Sequence, residues 1–91
     1  MVTEMETEAY VYILKCADGT LYTGWTDNPK RRLAAHNAGT AAKYTRSRRP
    51  VEIALLIQCE NRSAALKKEA EIKKLSRTAK LRLIAQNAEI N

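Results

Sequence analysis

The sequence predicts an α+β domain: a three-stranded antiparallel sheet flanked by helices. Three observations point to it. Two runs rich in β-branched and aromatic residues, AYVYILKC (9–16) and TLYTGWT (20–26), are separated only by the turn ADG. A third apolar run, VEIALLIQC (51–59), follows Pro50. Around these runs, Asn28-Pro29, Ser63 and SRT at 76–78 carry helix-start chemistry, and Gly39 marks a helix end.

The first two runs make a hairpin, and its register decides which side chains share a face. A two-residue turn at Asp18-Gly19 sets Tyr12 opposite Trp25 and Tyr22 opposite Lys15, sending the two tyrosines to opposite faces. A three-residue loop with Gly19 left-handed instead pairs Cys16 with Thr20, Leu14 with Tyr22 and Tyr12 with Gly24. The second register is the one expected. It puts Tyr12 and Tyr22 on one face, with Gly24 leaving space between strand and helix.

The amide of Asn28 and the fixed φ of Pro29 start a helix over 29–38. The third strand follows at 51–59 and is covered on at least one face. Ser63 is expected to cap a helix running to about residue 75. SRT then supplies a break and a new cap for a last helix over 79–88, with Leu81, Ile84, Ala85 and Ala88 at helical spacing.

Ninety-one residues make one domain, placed at 9–88 behind a flexible segment at 1–8. A chain of this size buries a little over ~60% of the surface it exposes when unfolded. Apolar residues reach 45% without any Phe, so the core is built from aliphatics, Tyr and one Trp. Cys16 and Cys59 lack metal-like spacing and read as two buried thiols in a reducing compartment. The acidic start MVTEMETEA does not resemble a signal peptide, and no run is long enough to span a membrane. A cytoplasmic location and no membrane partner are expected.

The net charge is +6. It is concentrated between Asp27 and Glu52, where Lys30, Arg31, Arg32, Lys43, Arg46, Arg48 and Arg49 meet no acid. One-signed segments of this kind attract polyanions. KYTRSRRP (43–50) sets Tyr44 and two hydroxyls among four cations, a composition suited to phosphate contact and base stacking. The basic stretch at 62–82 contains Glu69 and Glu71 and reads more simply as a solvated helix face.

YVY at 10–12, YTG at 22–24 and NPKRRLAAHN at 28–37 together resemble the GIY-YIG nuclease superfamily. LYTGWT, HNAGTAAKYTRSRRP and LKKEAEIKKLSR are similar to its short stand-alone bacterial branch of predicted endonucleases, and also to the nuclease subunit of the Slx junction resolvase. The resemblance covers roughly residues 9–83. It implies a metal-dependent endonuclease acting on DNA, structure-specific in repair or recombination, with one Mg²⁺ or Mn²⁺. RNA and a separate targeting protein stay open as partners. The motif tyrosines fall on Tyr12 and Tyr22, the motif glycine on Gly24, the helix arginine on Arg32, the histidine on His36 and the metal-binding glutamate on Glu69. Three features depart from the pattern: Tyr10 stands where the motif opens on glycine, Trp25 where some members carry lysine, and the family asparagine near the C-terminal end of the domain has no secure match, Asn87 being the nearest position.

The residues allow these tasks. Phosphodiester hydrolysis needs a base for water, a cation for the charge growing on phosphate, and help for the leaving oxygen. Arg32 and His36, at i and i+4, share one helix face, and a guanidinium fork matches two phosphate oxygens. Glu69 lies between Ala65, Leu66, Ile72 and Lys73 on the stripe expected to face inward, where a carboxylate must be paired, hydrogen-bonded or metal-bound. A single carboxylate suits a hydrated Mg²⁺; a salt bridge to Arg32 or Lys73 would satisfy it equally. A free phenol has a pKa near ~10, so either tyrosine needs a proton partner to act near neutrality, and His36 is the nearest candidate. The sequence leaves Tyr12 and Tyr22 unordered. The alternative function is a non-catalytic nucleic-acid-binding module; a third is a structural protein meeting an acidic partner.

Overall fold

The structure, a computed structural model, describes residues 8–90, with side chains through Asn87. The segment at 1–7 lies outside the described residues. Strands β1 (Ala9–Lys15), β2 (Leu21–Thr26) and β3 (Glu52–Cys59) form one sheet in the order β2-β1-β3, with both pairings antiparallel. Helices α1 (Pro29–Ala38) and α2 (Lys43–Arg46) separate β2 from β3, and α3 (Arg62–Lys73) and α4 (Arg77–Ile90) follow. The α+β class and sheet expected from sequence are therefore present, with the helices on both faces.

Period-two alternation in the central strand sorts the core. Val11 and Ile13 face one side with Leu55, Ala65 and Ile72; Leu83 and Ile84 of α4 pack beside them. Tyr12, Leu14 and Cys16 face the other with Val51, and Tyr22, Leu33 and Ile53 close around them. Ile13 and Leu14 are almost fully buried, each stabilising the fold by roughly 1.5–3 kcal/mol.

The hairpin takes the three-residue loop. Gly19 has φ +86°, its N–H donates to Cys16 O at 2.9 Å, and Cys16 N–H donates to Thr20 O at 2.9 Å. Tyr12 stands opposite Gly24 and Leu14 opposite Tyr22. In α1, Asn28 Oδ1 accepts from Arg31 N–H at 3.1 Å, Pro29 opens the helix, and Gly39 at φ +84° closes it. Asn37 then clasps the start of the third strand: Val51 N–H donates to its Oδ1 at 2.8 Å and its Nδ2 donates to Val51 O at 3.0 Å.

Several local expectations are corrected. Lys43–Arg46, lying between the helix expected over 29–38 and the strand expected over 51–59, is a single helical turn where the sequence predicts no element. Asn61, not Ser63, caps α3, its Oδ1 accepting from Ala64 N–H at 2.8 Å. Within SRT the cap is Ser76, accepting from Ala79 N–H at 3.1 Å, and the helix starts at Arg77, two residues before the expected Ala79. Its inward stripe holds Leu83 and Ile84, while Leu81 is 43% exposed. Leu66 also faces outward, Cys59 is only half-buried, and both cysteines are free thiols. The side chain of Ala88 lies outside the described residues.

Candidate active site

Four elements converge on the sheet face that carries Tyr12. The central strand presents Tyr12, β2 presents Tyr22 and Gly24, α1 presents His36 and α2 presents Tyr44 and Thr45. The three rings form a compact group: centroids lie 5.8 Å apart for Tyr12 and His36, 5.3 Å for Tyr22 and His36, and 6.5 Å for the two tyrosines. Their shared face follows directly from the Gly19 loop, since a one-residue slip would turn one tyrosine away.

His36 is 1% exposed, deeper than a histidine near a helix end usually sits. Both ring nitrogens are satisfied: Nε2 lies 2.9 Å from the Tyr12 hydroxyl and Nδ1 lies 2.8 Å from Thr45 Oγ1. Burial, with help from the Arg32 charge, pushes its pKa below the ordinary 6.5, so the ring is neutral near pH 7. Tyr12 is pushed up to about 12, mainly by burial and then by Tyr22; Arg32 opposes that shift and Glu69 adds to it. Arg32 and Glu69, on different helices, thus both reach the Tyr12 phenol with their fields.

The space expected at Gly24 is filled by Tyr12. A Cβ at Gly24 would stand 2.5 Å from the Tyr12 hydroxyl oxygen and 2.7 Å from Cζ. Glycine is needed here for close approach and not for a positive φ.

Arg32 is exposed, one turn before His36. The Glu69 side chain is only 16% exposed and Oε2 lies 3.4 Å from Lys73 Nζ. The inward carboxylate is therefore where the helical spacing put it, and it has the lysine partner that the simpler reading foresaw. Among the described residues no three His, Cys, Asp or Glu side chains converge, so a cation held by Glu69 would need water for most of its shell. That donor set fits a hard oxygen-seeking ion.

The basic segment divides on inspection. Lys30, Arg31, Lys43 and Arg46 are exposed. Arg48 is partly spent within the fold: its guanidinium lies 4.0 Å over the Tyr44 ring, donates to Tyr44 O at 2.8 Å, and places Nε 3.1 Å from Asp18 Oδ2 as an ion pair without hydrogen-bond alignment. Arg49 donates to Arg46 O at 2.7 Å and Asn37 O at 3.3 Å. Tyr44 is 39% exposed and stacks on Tyr22 at 5.8 Å, which ties the basic surface to the buried rings. Thr45 and Asn37 carry no motif signal, and sequence reasoning passed over both.

The family model for the GIY-YIG catalytic domain matches residues 8–82. The chain belongs to the GIY-YIG family. It is 58% identical over 81 residues to a UPF0213 protein of Syntrophus aciditrophicus, covering 88% of this chain and 93% of that one. A UPF0213 protein of Natronomonas pharaonis is 54% identical over 81 residues, covering 89% and 95%. Two solution NMR structures share the fold. A UPF0213 protein of Bacillus halodurans has a TM-score of 0.58 at 40% identity, covering 88% of this chain and 85% of that one. A protein of E. faecalis has a TM-score of 0.62 at 45% identity, covering 90% and 88%. Membership of the GIY-YIG family makes this a nuclease-type domain with a nucleic-acid substrate. No helix among the described residues is long and apolar enough to cross a membrane.

Proposed function

We propose that this GIY-YIG domain is a metal-dependent endonuclease that hydrolyses phosphodiester bonds in DNA, acting on branched or nicked structures. The observation that carries the reading is the 2.9 Å contact between the Tyr12 hydroxyl and Nε2 of a buried, neutral His36. A phenol whose pKa stands at about 12 is not ionised at neutral pH, so Tyr12 acts by relay and not as a preformed phenolate. As water attacks phosphorus, its proton passes to the Tyr12 oxygen while the phenolic proton moves to His36 Nε2. The bond from phosphorus to the leaving oxygen breaks, that oxygen takes a proton from solvent, and the imidazolium returns its own to solvent through Tyr12, so the protons balance. Tyr22, half-buried against His36, walls the relay and supports Tyr44.

Arg32 is the cation for the phosphate oxygens; its exposure leaves the guanidinium available to substrate. Glu69 would hold one Mg²⁺ or Mn²⁺, which when bound polarises the phosphate and stabilises the leaving oxygen. Lys73, with its side chain 55% exposed, would then release the carboxylate to solvent-facing positions of its own. Lys30, Arg31, Lys43, Tyr44 and Arg46 supply the polyanion surface, with Arg48 and Arg49 framing it.

The second reading, a nucleic-acid-binding module without catalysis, is favoured by the Glu69–Lys73 pair, which satisfies the carboxylate without a metal. Labelled branched and linear DNA, incubated with Mg²⁺ or chelator beside Glu69→Ala and Arg32→Ala variants, separates the two. Cleavage that needs the metal and is lost in both variants is expected; salt-sensitive binding with no cleavage would make the module the correct reading.

A further inference from the structure

We infer that Thr45 is a positioning residue that holds His36 in its Nδ1–H tautomer, leaving Nε2 as the acceptor for the Tyr12 proton. The inference rests on the proposed relay and assigns the direction in which it runs. Thr45 is 0% exposed, and its Oγ1 makes two contacts, 2.8 Å to His36 Nδ1 and 3.2 Å to Ala42 O. A hydroxyl has one proton, and a carbonyl oxygen can only accept. The Thr45 proton therefore goes to Ala42 O, and Oγ1 accepts from His36 Nδ1–H. The opposite assignment spends that proton on Nδ1 and turns an oxygen lone pair toward Ala42 O. It also places a proton on Nε2, where the ring would donate to Tyr12 and could not receive from it. Tautomer choice at a histidine is set by the partner of its other nitrogen.

The surrounding structure fixes this partner firmly. Thr45 belongs to the single turn α2, where its back-bond to the Ala42 carbonyl, three residues earlier, is a habit of threonine in helices. Its β-branched side chain restricts χ1, so the hydroxyl has few other places to point. At 0% exposure, solvent does not reach the hydroxyl to substitute for it. The turn itself is tethered through Tyr44, which stacks on Tyr22, and through Arg49, which bonds both Arg46 O and Asn37 O.

His36 is the only histidine in the chain, so ¹⁵N-labelled imidazole shifts read this ring without assignment ambiguity. At pH 7.5, chosen as about one unit above the ordinary histidine pKa, the wild type should show a protonated Nδ1 and an unprotonated Nε2. Thr45→Val, nearly the same shape without the hydroxyl, should shift the ring toward Nε2–H and slow metal-dependent DNA cleavage by roughly 10- to 100-fold, by analogy with the loss of partners that orient metal-bound histidines. Thr45→Ser should restore both the tautomer and most of the rate.

The inference is overturned by a wild-type ring protonated on Nε2, by a Val variant that keeps the Nδ1–H form, or by a changed tautomer with unchanged cleavage. Should Val fail to fold, the wild-type and Ser spectra decide the tautomer. If the wild type cleaves no DNA, the nuclease reading falls by itself, while the spectra still decide whether Thr45 holds the ring.

Discussion

Gly24→Ala is the sharpest perturbation because the backbone tolerates it and the neighbour does not. Gly24 lies in β2 without a positive φ, so alanine meets no conformational strain there. The whole penalty comes from the new Cβ, 2.5 Å from the Tyr12 hydroxyl oxygen, 2.7 Å from Cζ and 3.2 Å from Cε1. To reach ordinary contact at 3.4 Å the hydroxyl must retreat by about 0.9 Å. Tyr12 is 4% exposed and packed against Tyr22 and His36, so the ring has no solvent-filled space to retreat into. A shift of that size is about three times what the 2.9 Å bond to His36 can absorb before it exceeds a hydrogen-bond length of ~3.2 Å. Overpacking of this kind costs roughly 1–3 kcal/mol, and displacing a reacting group by about 1 Å slows catalysis about 100-fold. Urea unfolding would read the first effect and single-turnover cleavage the second. An alanine protein that unfolds with the wild type and cleaves at the wild-type rate would refute the steric argument for Gly24 and the relay built on it.

Tyr12→Phe should slow cleavage roughly 10²- to 10⁴-fold, as loss of a proton-transfer group does. The same variant leaves His36 Nε2 buried without its partner, costing about 1–3 kcal/mol by denaturant titration; Tyr22→Phe, which removes no hydrogen bond seen in the fold, should have the smaller effect on both, and equal losses would show that the tyrosines are misordered. In pH, the folded state favours neutral His36, so the stability it contributes is present above 6.5 and is lost as pH falls through 6.5 toward the lower folded value. Cleavage should fall on the same acid side, and a rate that rises on acidification would contradict a neutral acceptor. Lys30→Ala, Arg31→Ala or Lys43→Ala should each lessen the slope of log affinity against log salt by up to ~0.9. Arg49→Ala should in addition lower stability, because that guanidinium also bonds two backbone carbonyls.

What could be read from the sequence was whatever depended on short-range chemistry. Gly19 fixed the loop, the loop fixed the register, and the register put Tyr12, Tyr22 and Gly24 together. Asn28-Pro29 and Gly39 bounded α1, and helical spacing turned Glu69 inward. The errors arose where two local solutions compete. Asn61 and Ser63 are both good caps, and the earlier one captured Ala64 N–H. Leu81, Leu83 and Ile84 allow two stripes on α4, and packing against β3 selected the one containing Leu83 and Ile84. The burial of His36 was not legible at all. It depends on α2 folding over α1, and Lys43–Arg46 is too short and too basic to announce a helix.

The proposed mechanism separates two jobs that a polar cluster in water would mix. Its proton handling is internal: Tyr12, His36 and Thr45 are 4%, 1% and 0% exposed, and their polar atoms are partnered in a chain that ends on the Ala42 carbonyl. A buried polar network is stable only when every member is satisfied, and a satisfied one is rigid. Charge handling is peripheral, on exposed Arg32 and on Glu69 with its exposed lysine partner. Salt screens exposed charges far more than buried dipoles. Raising ionic strength should therefore weaken DNA binding while leaving the proton-transfer step in the bound complex nearly unchanged. Substitutions along the Tyr12–His36–Thr45 chain should do the reverse, lowering the single-turnover rate at saturating protein without changing the salt slope. The two classes of variant meet most fully at Arg32, whose charge acts on both Tyr12 and His36, whereas Glu69 reaches Tyr12 alone. Arg32→Ala is accordingly the one substitution expected to move affinity, rate and the pH profile together.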